Sequence, residues 1–148
     1  MKNRLFNAII ILLMISGYAK AQEVELKNDK VLLEGKAILK YEKINASQYS
    51  FFSLSDDEIF FYQQKDNETP NYFDDDYWTL NFLTEKVKVE STDFSRIANF
   101  MNSKKAMAKL VKWLIKEKVI DLDGNLSSEK IDNFFEKFNE NITQRTVR

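Results

Sequence analysis

The fold is decided within residues 87–115, which read VKVESTDFSRIANFMNSKKAMAKLVKWLI. At the start of this stretch Val87 and Val89 alternate with charged residues, which is the period-two pattern of a half-buried strand. From Asp93 onward the apolar residues recur every three or four positions, as they do along an amphipathic helix. A chain that changes from strand to helix periodicity without a linker is typical of a single α+β domain.

Upstream of this change the period-two pattern extends back to the start of the predicted domain. Strand patterns begin near Val24, Lys30, Ala37, Tyr49, Ile59 and Trp78, and polar turns such as Asn28-Asp29, Gly35-Lys36 and Ser55-Asp56-Asp57 separate them. The segment Tyr49–Leu54 is apolar on both faces, which indicates a central strand. Short strands joined by tight turns predict an N-terminal antiparallel β-meander of six or seven strands.

Downstream of the change we expect two or three C-terminal helices packed on one face of the sheet. Thr92 or Asp93 is a candidate N-cap for a short helix that ends near Met101, and Ser103 for a longer one that ends near Val119. Ser127 or Ser128 would cap a third helix, and the polar tail from Asn139 is expected to fray. The longer helix carries its predicted core stripe at Met107, Leu110, Val111, Leu114 and Ile115.

Residues 1–21 have the features of a cleaved secretory signal peptide. Basic residues precede the apolar run Ala8–Ile15, and Ala19 and Ala21 are the small residues that a signal peptidase reads before Gln22. The apolar run is shorter than the roughly 20 residues that span a bilayer. We therefore predict an exported protein, periplasmic or extracellular, cleaved between Ala21 and Gln22, with no stable membrane anchor afterwards.

The remaining chain, residues 22–148, is predicted to be one soluble domain held by its own core. Cleavage removes three basic and no acidic residues from a chain of net charge −1, which leaves −4. The chain has no Cys and no His, so lipid attachment through Cys, disulfides, thiol nucleophiles and imidazole bases are excluded. Three Gly residues argue against glycine-rich phosphate loops. We expect no cofactor and no metal, and the absence of His, Cys and any catalytic motif argues against an enzyme without excluding one that uses carboxylates.

The polar segment Gln64–Asp76 is the first choice for a binding surface. It contains three consecutive carboxylates next to aromatic side chains, and such mixtures give stacking area and hydrogen bonds together. The predicted site residues are Tyr72, Phe73, Asp74, Asp75, Asp76, Tyr77 and Trp78. The competing interpretation is a solvated loop whose aromatic residues point back into the core. The open face of the sheet is a second possible surface for a protein or a small ligand.

Other functional hypotheses rest on charge. An inhibitor or immunity-type protein could use the acidic first half of the domain against a basic enzyme, and a glycan hydrolase could pair Asp74–Asp76 with Asp56–Glu58. The basic side of the second helix (Lys105, Lys109, Lys112 and Lys116) is interpreted as its solvated face, and the acidic exported chain argues against nucleic-acid binding. The turn Asp121–Asn125 fails the register of a calcium loop. No motif resembles a known family.

Overall fold

The computed structural model describes residues 22–66, 74–98 and 102–146. Within these residues seven strands are followed by three helices, which confirms the α+β prediction. The strands are β1 (Val24–Lys27), β2 (Lys30–Leu33), β3 (Lys36–Asn45), β4 (Gln48–Phe52), β5 (Glu58–Lys65), β6 (Tyr77–Phe82) and β7 (Val87–Ser91). The helices are α1 (Ser103–Lys116), α2 (Ser128–Phe138) and α3 (Ile142–Thr146).

The strands form one antiparallel sheet in the order β1 to β7, so each strand pairs with its neighbour along the chain. Tight turns make this meander possible. Asn28 and Asp29 both have positive φ, 50° and 59°, which matches the right-handed twist of the flanking strands. The second turn uses Glu34 and Gly35, one residue earlier than the predicted Gly35-Lys36. β4 lies at the centre of the sheet, as its two apolar faces predicted.

A row of aromatic rings crosses the centre of the sheet on the face that the helices cover. Phe51 on β4 pairs with Phe60 on β5, which pairs with Phe82 on β6. The rings of Phe51 and Phe60 stack with centroids 4.5 Å apart, and Phe82 meets Phe134 of α2 edge to face at 6.5 Å. All four side chains are almost fully buried. This row therefore joins the middle of the sheet to the helical layer.

α1 packs against β1 and buries the predicted stripe from Met107 to Ile115. Its N-cap is Asn102 rather than Ser103, since the Asn102 side chain accepts a hydrogen bond from the Lys105 amide at 3.2 Å. The Ser103 hydroxyl instead bonds the Tyr49 hydroxyl of β4 at 2.7 Å. Ser103, which local capping rules favoured as the N-cap, thus makes a tertiary hydrogen bond to Tyr49 instead.

The predicted short helix from Asp93 is wrong over its described part. Asp93 accepts a hydrogen bond from the Ser95 amide, and the amides of Ile97 and Ala98 both bond the Phe94 carbonyl. These contacts close a single turn, and Ile97 turns into the core. Residues 99–101, the end of the predicted helix, lie outside the described residues.

The C-terminal tail does not fray over its described part, because it docks on β7. The Glu140 amide donates to the Glu90 carbonyl at 2.8 Å, and the Asn139 side chain accepts from the Glu90 amide at 2.9 Å. The Glu90 carboxylate is buried and bonds Thr143 at the start of α3 and the ammonium of Lys88. These bonds satisfy backbone groups at the edge of the sheet that would otherwise be unpaired.

Candidate functional site

The predicted acidic loop is divided by the fold into residues with different surroundings. Asp74 is exposed and Asp75 is half-buried, and both lie in the turn that leads into β6. Asp76, the next residue, is buried with only 8% of its surface exposed. Tyr72 and Phe73 lie outside the described residues. The three consecutive carboxylates therefore do not form one uniform acidic surface.

The aromatic residues that follow the loop belong to the sheet. Tyr77 is the first residue of β6, half-buried, with the Lys65 ammonium 6.0 Å from its ring centre. Trp78 is fully buried, and its indole nitrogen donates to the Asp93 carbonyl at 2.9 Å. Its ring meets Trp113 of α1 edge to face at 5.9 Å. The strand alternation that turns Trp78 into the core removes it from the predicted surface site.

Asp76 is the member of the predicted set with unusual surroundings. Its Oδ1 atom is buried and has no hydrogen-bond partner among the residues that the structure describes. Burial raises the pKa of the Asp76 carboxyl, and the negative charges of Asp75 and Asp66 raise it further. A buried carboxylate oxygen without a partner is costly, since it has lost water and gained nothing in exchange.

Asp76 lines a cavity of about 900 Å³ between one end of the sheet and the start of α1. The sheet contributes the end of β3, the β3–β4 turn and the second half of β5. The opposite wall comes from the turn before α1 and from its first two turns. The apolar lining residues are Ala46, Phe94, Ile97, Ala98, Ala106 and Met107, and the polar ones, besides Asp76, are Lys43, Ser47, Tyr62, Gln64, Asn102, Ser103 and Lys104.

Two of the lining residues, Ser103 and Tyr62, bring hydroxyl groups to this cavity. The Tyr49–Ser103 hydrogen bond fixes the start of α1 on the sheet, next to the cavity wall. Tyr62 on β5 is buried, and burial raises the pKa of its hydroxyl, so that the phenol stays neutral. A neutral phenol both donates and accepts hydrogen bonds. The cavity thus combines apolar side chains with polar ones, a mixture that ligand pockets also have.

Most of the cavity was not accessible to sequence reasoning. Ile97 and Met107 read as ordinary core residues, and Tyr62 as a strand aromatic, because each fits the local apolar pattern. They meet only because the start of α1 lies opposite the ends of β3 and β5. The sequence analysis did single out the run Asp74–Asp76, and within that run Asp76 lines the cavity.

The carboxylate pair proposed for glycan hydrolysis is separated by the length of a strand. Glu58 starts β5 and pairs with Phe52, whereas Lys65 ends β5 and pairs with Tyr77 beside the acidic loop. Seven residue steps along a strand span about 23 Å at about 3.3 Å each. Retaining and inverting glycosidases hold their carboxyls about 5–10 Å apart. The geometry therefore gives this pairing no support.

No group of three carboxylates within residues 22–66, 74–98 and 102–146 is placed to hold a metal ion. In the turn after α1 the Asp121 side chain accepts from the amides of Asp123 and Asn125, both at 2.9 Å. Hydrogen bonds from Asn125 and other groups of the turn lower the pKa of Asp121. Its carboxylate thus shapes the loop.

None of the described helices is long and apolar enough to cross a membrane.

The described residues thus form a seven-stranded meander with a helical layer, and a cavity lies between the end of the sheet and the start of α1. Comparison with protein-family models, with curated proteins and with solved structures found no match to this chain. The function is therefore argued from the cavity and its residues.

Proposed function

We propose that this protein is an exported, non-enzymatic binding module that holds a small ligand in the cavity beside Asp76. The observation that carries the proposal is a cavity of about 900 Å³ lined in part by Asp76, a buried residue whose Oδ1 atom has no hydrogen-bond partner among the described residues. Buried polar atoms without a partner are few in natural proteins, and a ligand is one explanation for such an atom. The signal-like residues 1–21 support delivery to the periplasm or the extracellular space.

The size and polarity of the cavity favour a small molecule over a protein partner. Ligand pockets typically enclose about 300–1,000 Å³ and combine apolar walls with a few polar groups. The described wall residues from Phe94 to Met107 supply the apolar part, and Asp76 supplies a polar anchor. The acidic loop is a weaker candidate for protein binding, because Asp76 is withdrawn from the surface and Asp75 is half-buried.

The test is a fragment screen by ligand-observed NMR on the protein expressed from its full sequence. Ala106 of α1 lines the cavity, so Ala106→Leu adds three carbon atoms to the space that the ligand needs. Ala98→Leu fills the same cavity from the turn before α1. We expect fragments that bind the wild-type protein to lose binding to both variants.

The matched control is Ala108→Leu, which adds the same volume to the same helix. Ala108 is half-buried against the core and is not part of the cavity wall. This variant should keep the fragments, and circular dichroism should show all three variants folded. Fragments that bind the filled variants as well as they bind the wild type, or a screen with no binders at all, would overturn the proposal.

A further inference from the structure

A cross-strand row of the sheet brings a cation and two hydroxyl groups to the start of α1. Lys43 of β3 is paired with Tyr49 of β4, and Tyr49 is paired with Tyr62 of β5, so the three side chains share one face of the sheet. The Lys43 ammonium lies 6.0 Å from the centre of the Tyr49 ring. The Tyr49 hydroxyl bonds the Ser103 hydroxyl, which fixes this row against the first turn of α1.

Tyr62 carries a hydrogen-bond donor that the described residues leave unused. The residue is buried, with 4% of its surface exposed, and it lines the cavity. Its hydroxyl has no hydrogen-bond partner among the described residues. Unlike Asp76 Oδ1, this hydroxyl is not sealed from its surroundings, so its accessible part faces the cavity. A neutral phenol in this position can donate a hydrogen bond to an anionic group.

Two lysines line the cavity from opposite walls near this hydroxyl. Lys43 belongs to the sheet and Lys104 to the first turn of α1. Both side chains are exposed, and neither has an ion-pair partner among the described residues. The first turn of α1 contains no acidic residue, and the amides of Ser103 and Lys104 have no acceptor in the described part of the chain. The positive end of the helix dipole therefore adds to the two ammonium charges.

The carboxylate of the described cavity wall lies away from these positive groups. Tyr62 is paired with Leu80 of β6, and Asp76 precedes Leu80 by four residues. Four steps at about 3.3 Å each place Asp76 about 13 Å further along the strand direction. Asp75 and Asp66 raise the pKa of Asp76, so negative charge is concentrated at that end. An anionic group is therefore favoured beside Tyr62 and disfavoured beside Asp76.

We propose that the cavity binds a small organic anion with a hydrocarbon body, such as an aliphatic carboxylate. The carboxylate accepts a hydrogen bond from the Tyr62 hydroxyl between Lys43 and Lys104, and the hydrocarbon chain packs along Ile97 and Met107, which line the same cavity. This inference rests on the proposed function, because it names the ligand class of that cavity. The apolar wall supplies affinity that neutral and charged ligands share, and the hydroxyl and the two lysines supply the preference for an anion.

The experiment compares three probes of equal chain length that differ in their head group: octanoate, 1-octanol and n-octylamine. Binding is followed by the chemical shift of the Met107 methyl group in protein expressed from the full sequence, and affinities come from titration. We expect octanoate to bind at least about tenfold more tightly than 1-octanol, because hydrogen bonds to an ionised acceptor are roughly twice as strong as neutral ones. n-Octylamine should bind most weakly, and added salt should reduce the preference for octanoate.

Variants separate the hydroxyl from the charges. Tyr62→Phe removes only the hydroxyl, and the double variant Lys43→Gln/Lys104→Gln removes both lysine charges of the wall. Each should reduce the preference for octanoate, and the two together should abolish it while 1-octanol binding is retained. The matched control is Lys27→Gln/Lys105→Gln, which removes two charges at exposed positions outside the cavity wall and should keep the preference. Circular dichroism should show all variants folded.

Equal binding of octanoate and 1-octanol, tighter binding of n-octylamine, or a preference that survives the combined variant would overturn the anion assignment and leave the binding cavity in place. If none of the three probes shifts the Met107 methyl group, the anion assignment fails. The fragment screen with the cavity-filling variants then decides separately whether the proposed function fails as well.

Discussion

Replacing Gly124 by alanine is expected to destabilise the protein much more than the same replacement at Gly35. Both glycines have positive φ, 88° and 82°, a region where a Cβ atom costs about 1–2 kcal/mol. They differ in what the new Cβ would meet. At Gly35 nothing lies within 4 Å, whereas at Gly124 the Cβ would stand 2.1 Å from the carbonyl oxygen of Ile38 on β3.

The magnitude of the difference follows from this contact. Gly35→Ala carries the backbone cost, partly offset by a stiffer unfolded chain, and should lower the free energy of unfolding by about 1 kcal/mol. Gly124→Ala carries the same cost and must also move the α1–α2 loop away from the sheet. Overpacking of this kind adds about 1–3 kcal/mol, so a total near 3 kcal/mol is expected. That is a large share of a stability of about 5–15 kcal/mol.

The assay is urea unfolding of the wild-type protein and both variants, followed by circular dichroism. With a slope of about 1–3 kcal/mol/M, the Gly124→Ala midpoint should fall by about 1–3 M, and that of Gly35→Ala by at most about 1 M. Equal slopes for the three proteins are needed for this comparison. Equal losses at the two positions would refute the reasoning, because they would mean that the α1–α2 loop does not press against the Ile38 carbonyl.

Three further outcomes are expected. Burial would raise the pKa of Glu90, but hydrogen bonds from Lys88 and Thr143 outweigh it and lower that pKa. The ionised Glu90 carboxylate therefore stabilises the folded protein above the usual glutamate pKa, and this stabilisation is lost as pH falls through the lowered value. Glu90→Gln should therefore speed amide exchange in residues 139–146 at pH 7, and Glu25→Gln should not; unchanged exchange in both would contradict the docked tail. Asp76→Asn should raise the urea midpoint at pH 7 and change it little at acid pH, because the raised pKa of Asp76 means that its ionisation destabilises the folded state. A lower midpoint at pH 7 would show that the ionised Asp76 carboxylate does not destabilise the fold. N-terminal sequencing of exported protein should begin at Gln22, and an intact Met1 would disprove cleavage.

The fold was predictable because the spacing of apolar residues within each strand and helix already indicates its type. The alternation in β4 and β6 places Phe51 and Leu80 on the inner face whatever their neighbours are, and the 3.6-residue stripe does the same for Leu110. The failures came where a distant partner competed with a local preference. Ser103 bonds Tyr49 instead of capping α1, and the tail after Asn139 is held by Glu90, which lies about 50 residues earlier.

The candidate site was predictable only in part, and for the same reason. A run of carboxylates at Asp74–Asp76 is visible in the sequence, but the sequence does not state which one is withdrawn from water. That depends on where α1 lies relative to the sheet end. Trp78, included because it is aromatic and near the loop, belongs to the core because it faces Trp113.

The sequence by itself determined a meander followed by helices, with no thiol or imidazole chemistry and a signal-like first segment, because periodicity and composition are properties of consecutive residues. The tertiary structure alone decided that Asp76, Tyr62, Ile97 and Met107 surround one cavity. Helix periodicity fixes which face of α1 is buried, but it does not fix how far the helix extends over the sheet. That placement is set by packing between residues far apart in the chain, and it leaves space beside a carboxylate that has no partner within the described protein.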